Sequence, residues 1–239
     1  MSLCVVMGGM GEVGSALVKA IWKGNKVYVS DKAFIGRPDV GPVDFLHVAI
    51  PYGKEFLDAV RGEMEVYRPR YTVIHSTVPV GTTRLIGGKT CHSPIRGQHA
   101  DPKYGFFRFI KYLGSMDKKT EAAVIQHLAW SGIHVSAGWK PEETEFAKLL
   151  CLSRYLNDLA FMETASKLCK RFRVRREIVN DWTMTYNIGY AKSRYVRPLL
   201  DFPNGKVGGH CVIPVNRILV NQVRSSFLRK NLEVFDAGN

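Results

Sequence analysis

The chain of 239 residues reads as an α/β protein: a doubly wound, mostly parallel sheet, followed by a smaller α-helical domain with one long helix. Three observations predict this. A glycine-rich turn near the N-terminus separates a short apolar run from an amphipathic stretch. Apolar runs of strand length then alternate with stretches of helical periodicity. After residue 138 the alternation stops, and one helical pattern continues for about 30 residues. The expected organisation is therefore a sheet domain over 1–138 and a helical domain over 139–239.

Leu3 to Met7 is apolar but too short to assign by itself. Gly9-Met10-Gly11-Glu12-Val13-Gly14 then fits G-x-G-x-x-G, and Leu17, Val18 and Ile21 follow at helical spacing. In a strand–turn–helix of this kind the first glycine permits the tight turn. The second lets backbone approach a pyrophosphate, and the third lets helix and strand pack closely. The phosphate would lie on the helix N-terminus. Lys26 to Ser30 reads as the next strand and ends on Asp31, about 20 residues downstream, where a carboxylate takes ribose hydroxyls. The unit is thus a Rossmann-type dinucleotide site, and the acid favours NAD over NADP, with Lys32 beside it the one contrary charge.

From Lys32 to Val43 only a short Gly/Pro-rich connector follows, too short for the usual helix and third strand. Phe45 to Ile50 resumes as a buried strand ending at Pro51. Lys54 to Tyr67 carries Phe56, Leu57, Val60 and Met64 on one helical face. Tyr71 to His75 is a strand running into Ser76-Thr77-Val78-Pro79-Val80-Gly81. Lys89 to His92 and Phe109 to Gly114 read as strands, Asp117 caps a helix to about Trp130, and Ile133 to Ser136 closes the sheet. Ligands on such sheets bind at the carboxyl ends of the strands, so Asp31, Pro51, Ser76 and Thr77 line the expected crevice. The cofactor set is Gly9, Met10, Gly11, Glu12, Val13, Gly14, Asp31, Lys32, Pro51, Ser76 and Thr77. His92 and His99, near Arg96 in a polar loop, are expected to line the substrate cleft, and Arg96 to contact substrate. No spacing of His, Cys or carboxylates marks a metal site.

Pro141-Glu142-Glu143-Thr144 begins the long helix, expected to about Arg171, with Phe146, Leu149, Leu150, Leu156, Leu159 and Ala160 on its apolar face. A helix of roughly 40 Å cannot be buried by one small domain, so a homodimer with this helix at the interface is expected. Glu177 to Tyr186 reads as another helix, and Arg217 to Leu228 as an amphipathic one. Between them Arg197 could clamp a phosphate or form a salt bridge. Gly208-Gly209-His210-Cys211 puts a thiol in an apolar frame beside an imidazole, which fits either a nucleophile or a structural cysteine.

Composition bounds the rest. Hydrophobic and charged contents of 46% and 23% are those of a globular protein. No apolar run reaches the roughly 20 residues of a membrane span. The N-terminus lacks a signal-peptide pattern. Five scattered cysteines suggest the reducing cytosol rather than a disulfide framework. A net charge of +13 points to acidic partners: a phosphorylated small molecule, or nucleic acid. The basic run from Lys167 to Arg176 has no accompanying RNA- or DNA-binding motif, which disfavours nucleic acid.

The dinucleotide fingerprint, Ser76-Thr77-Val78-Pro79, Lys148 in a long helix and Gly208-Gly209-His210-Cys211 occur in the order that resembles the UDP-glucose/GDP-mannose dehydrogenase family. The resemblance implies an NAD-dependent oxidation of a sugar-nucleotide alcohol to the acid. Cys211 matches the nucleophile that would carry thiohemiacetal and thioester intermediates. Lys148 matches the lysine that stabilises oxyanion charge. Thr77 matches the threonine that holds water and the nicotinamide edge, while Arg96, Lys148, Arg197, Gly209 and His210 would contact substrate. The chain departs from the pattern at three polar positions, where it has Ile95, Leu152 and Val215. It reads as a short, divergent relative without the C-terminal sugar-nucleotide domain. Two other classes remain: a dinucleotide-binding protein of this fold without catalysis, and, on charge alone, a nucleic-acid-associated module.

Overall fold

The computed structural model describes residues 1–33, 38–97, 106–191, 196–204, 206–207 and 211–236. The chain divides into two compact units, Met1–Lys148 and Leu149–Asn239.

The first unit is built on a seven-stranded sheet: β1 (Leu3–Met7), β2 (Lys26–Ser30), β3 (Phe45–Val48), β4 (Tyr71–Ile74), β5 (Thr90–His92), β6 (Lys111–Ser115) and β7 (Val135–Trp139). The spatial order is β2-β1-β3-β4-β5-β6-β7, and every pair is parallel except β5–β6. Strand β3 lies directly against β1, so the short connector after Lys32 leaves out a helix and strand as its length required. The strands read as continuous apolar runs because both faces are covered. Helices α1 (Glu12–Ile21) and α4 (Lys118–Trp130) bury Cys4, Val6, Phe45, Val73 and Cys91 on one face. Helices α2 (Phe56–Tyr67) and α3 (Thr82–Ile86) bury Val5, Met7, Leu46, Val48 and Ile74 on the other.

Local chemistry fixes the helix starts. The Asp117 carboxylate accepts from the backbone N–H groups of Lys119 and Thr120 and starts α4. Helix α5 (Pro141–Phe172) opens on proline, whose missing N–H costs nothing at a first turn. Glu142 and Glu143 follow in that turn, and Lys170 and Arg171 stand in the last one, each complementing the helix dipole. This helix runs through the boundary between the units.

The second unit holds the rest of α5 with α6 (Glu177–Gly189), α7 (Val212–Gln222) and α8 (Ser226–Asp236). The amphipathic stretch expected at Arg217–Leu228 is parts of two helices, because the chain is extended at Val223. Leu156, Leu159 and Ala160 pack with Val212, Leu232 and Phe235 in its core. No described helix is long and apolar enough to cross a membrane.

Candidate active site

The glycine turn sits at the carboxyl end of β1, where the chain leaves to β2 on one side and β3 lies on the other. This is the switch point at which open α/β sheets bind ligands. The left-handed residue of the turn is Gly8, at φ 78°, one position before the fingerprint. A Cβ there would lie 2.7 Å from the Ala49 carbonyl oxygen. Gly9, expected to permit the turn, is needed for a different reason: its Cβ would strike Val29 at 2.6 Å. Gly14 behaves as the third glycine must, since a Cβ on it would stand 2.0 Å from the Gly8 oxygen. Gly11 is exposed, and its Cβ would meet only the Gly8 oxygen, at 3.3 Å. The cradle therefore opens outward at Gly11, where α1 begins with no side-chain cap. That is the surface a pyrophosphate needs.

Asp31 closes the cradle. One carboxylate oxygen accepts from the Met10 N–H at 3.0 Å and the other from the Ala33 N–H at 3.1 Å. It is held beside the loop in the place where an acid meets ribose hydroxyls, and Lys32 is exposed. Pro51 lies exposed beyond β3. The Ser76 hydroxyl donates to the Ile50 carbonyl at 2.6 Å, tying the loop after β4 to the loop after β3. Thr77, half-buried, follows it. Glu145, near the start of α5, anchors the far end of that loop through the Gly81 N–H, the Thr83 N–H and the Thr83 hydroxyl. Burial pushes its carboxyl pKa up, against those three donors. Glu145 was not among the expected residues; a third carboxylate two residues after Glu143 was its only trace.

Lys148 is no ordinary surface lysine. It is half-buried, and its Nζ donates to the Ile95 carbonyl at 2.7 Å, in the loop after β5. Ile95 itself is 5% exposed and packs in the core with Phe106 and Leu113. Arg96 is exposed and lies over the rings of Phe109 and Tyr112.

His92 does not line a cleft as expected. It is fully buried; burial first, then the Lys111 and Lys148 charges, pull its pKa down to about 3 against a hydrogen bond to Ser76. Neutral, it donates from Nε2 to the Ser76 carbonyl and accepts at Nδ1 from the Thr144 hydroxyl. His99, Gly208, Gly209 and His210 lie outside the described residues.

Lys111, on β6, is a second polar residue that the sequence did not announce. It is fully buried beneath the same loop, donating to the Ser93 and Pro94 carbonyls at 2.6 and 3.3 Å. Burial above all, then the like charge of Lys148, lower its pKa to about 7.

In the second unit Cys211 is the N-cap of α7 and half-buried. Val215 is buried, and its N–H donates to the Cys211 carbonyl within the first turn. Asn216 is occupied by the fold, donating to the Val212 and Leu152 carbonyls. Arg197 stacks its guanidinium 3.6 Å over the Tyr186 ring, and its backbone is clasped by Asn187. A cavity of about 660 Å³ in this unit is lined by Tyr155, Asn180, Asp181, Met184, Phe202 and Lys206, among others.

No protein-family model and no curated protein sequence matches the chain. Solved structures do. A UDP-glucose dehydrogenase from Pyrobaculum islandicum superposes with a TM-score of 0.79 at 18% identity, over 99% of this chain and 68% of that one. The fold is that of the UDP-sugar dehydrogenases. UDP-D-ManNAc dehydrogenase from Pyrococcus horikoshii gives a TM-score of 0.76 at 15% identity, over 98% of this chain and 68% of its own. The 3-hydroxyisobutyrate dehydrogenase of Mycobacterium tuberculosis shares the fold at TM-score 0.71 and 14% identity, over 99% of this chain and 93% of its own. At these identities the likeness is one of fold, and the dehydrogenase fold spans nearly the whole chain.

Proposed function

We propose that this chain is an NAD-dependent oxidoreductase of the UDP-glucose/GDP-mannose dehydrogenase family, acting on the alcohol of a nucleotide sugar or a related phosphorylated compound. The observation that carries the reading is the Asp31 carboxylate held 3.0 Å from the Met10 N–H, beside an open glycine cradle at the sheet's switch point. A 2′-phosphate would meet that carboxylate, so the cofactor is NAD rather than NADP. NAD, when bound, supplies the hydride acceptor. Gly11 and the start of α1 hold its pyrophosphate, Asp31 its ribose, and Ser76 and Thr77 border its nicotinamide end.

In this reading Lys148, ordered by the Ile95 carbonyl, offers an ammonium to developing oxyanion charge. Cys211 adds to the aldehyde formed by the first oxidation. Arg96 and Arg197 supply positive charge for phosphates. The exposed Phe161 and Phe172 on α5 fit a homodimer formed along that helix.

One observation favours a second reading, a protein that binds NAD without turnover. Ile95, where the family has a carboxylate for hydrolysis, points into the core. The experiment that separates them is a panel of nucleotide sugars followed at the NADH absorbance, beside calorimetry with NAD and NADP. The enzyme reading expects NADH formation that Cys211→Ser abolishes or stops at the aldehyde, with NAD binding intact. It also expects Asp31→Ala to weaken NAD binding. NAD binding without turnover on any alcohol selects the second reading, and equal affinity for NAD and NADP refutes the role of Asp31.

A further inference from the structure

Three side chains from segments far apart in sequence meet under α4: Cys4 on β1, His47 on β3 and His127 on α4 itself. The sulfur and one nitrogen from each ring lie within 4.8 Å of one another, and all three residues are buried. The Nε2 atoms of His47 and His127 are 3.0 Å apart. A tetrahedral zinc ion, with bonds of about 2.0–2.3 Å, holds its ligand atoms roughly 3.3–3.7 Å apart. Shifts of a few tenths of an ångström in the rings, and somewhat more in the sulfur, would therefore bring the three onto one ion.

Hydrogen bonding prepares the site. The Ser93 carbonyl can only accept, so neutral His75 donates to it from Nδ1, at 2.9 Å, and accepts at Nε2. His47 must then donate from Nδ1 to His75, at 2.9 Å, which leaves its Nε2 with a lone pair directed at His127. Metal-binding histidines characteristically have their other nitrogen fixed in this way. The His127 ring is stacked on Phe45 at 3.9 Å between centroids, which fixes its plane. Burial pushes the Cys4 thiol up to about 12, with the Asp44 charge adding to it, so the sulfur stays protonated until a cation displaces the proton.

Access and charge also fit. A cavity of about 410 Å³ opens on His127 and is lined by Ser2, Asn25, Asp44 and Gln126, with room for a water as fourth ligand. A Cys4 thiolate would supply one negative charge to the ion, and the Asp44 carboxylate lines the same cavity, together with Arg70. We propose that Cys4, His47 and His127 form a binding site for one zinc ion, pinning β1, β3 and α4 together. This goes beyond the dehydrogenase reading and does not depend on it. The spacing of residues 4, 47 and 127 matches no metal-binding motif, so nothing in the sequence marks this site.

The test uses the whole chain, dialysed against a chelator and titrated with Co²⁺ as the spectroscopic stand-in for Zn²⁺. One equivalent should produce a sulfur-to-cobalt charge-transfer band with the visible bands of a tetrahedral site, and Zn²⁺ should bleach both. Cys4→Ser should lose the charge-transfer band. His127→Gln should weaken binding by at least about tenfold, the smallest loss expected even for an outer partner. Cys151→Ser, at an exposed position, should change nothing. Absence of the sulfur band at one equivalent in the parent protein overturns the proposal and needs no variant to fold. So does its persistence in Cys4→Ser.

Discussion

Lys111→Met is expected to change how stability depends on pH. Lys111 is buried under the Ser93–Pro94 loop, with its Nζ over the Phe106 ring. The titratable groups around it are Lys148, Cys91, His47, His75 and His92. Its folded-state pKa is lowered from 10.5 to about 7. Below pH 7 both the folded and the unfolded chain carry the proton, and this group adds no pH dependence. Between about 7 and 10.5 the unfolded chain still holds a proton that the folded one has lost. Raising the pH then favours the folded state, by up to about 1.4 kcal/mol per pH unit. Over the whole interval this comes to roughly 5 kcal/mol, an upper figure for a buried amine that can relax. The assay is urea unfolding of the parent and Lys111→Met at pH 6 to 9.5. The stability of the parent relative to the variant should be flat up to about pH 7 and climb above it. A difference that stays constant through pH 9.5, or falls, refutes the argument that burial outweighs the charge on Lys111.

Gly14→Ala places a methyl 2.0 Å from the Gly8 carbonyl oxygen, so α1 must move off the turn. The expected cost is about 3 kcal/mol, the upper end for overpacking, with loss of NAD binding by calorimetry. An alanine variant that keeps both stability and NAD affinity would show that this close approach is not required. Phe161→Glu with Phe172→Glu should convert a dimer to a monomer by light scattering, because both rings are more than two-thirds exposed on α5. A parent protein that is monomeric at tens of micromolar removes the dimer.

The glycine turn and the order of elements were legible in the sequence because they rest on local rules. Three glycines at fixed spacing, a strand ending on Asp31, Asp117 as an N-cap and Pro141 at the start of a helix each act through neighbours in the chain. Continuous apolar strands likewise announce a sheet covered on both faces. The chain between Lys32 and Val43 was visibly too short for another helix and strand, and β3 duly pairs with β1. What hydrophobic pattern could not show is where polar side chains go. It reads histidine and lysine as surface residues, and among the described residues four histidines and one lysine are buried inside the first unit. His92 was expected in a cleft and lies in the core; Lys111 carried no signal, and Glu145 only that of one more carboxylate near the start of α5. Each is buried at tolerable cost only because carbonyls, amides or hydroxyls from distant segments complete its hydrogen bonds. Those partners are set by strand order and helix packing. The sequence alone therefore determined the glycine turn after β1, while the tertiary structure alone decided that Lys148 would meet Ile95, and that Cys4, His47 and His127 would meet one another.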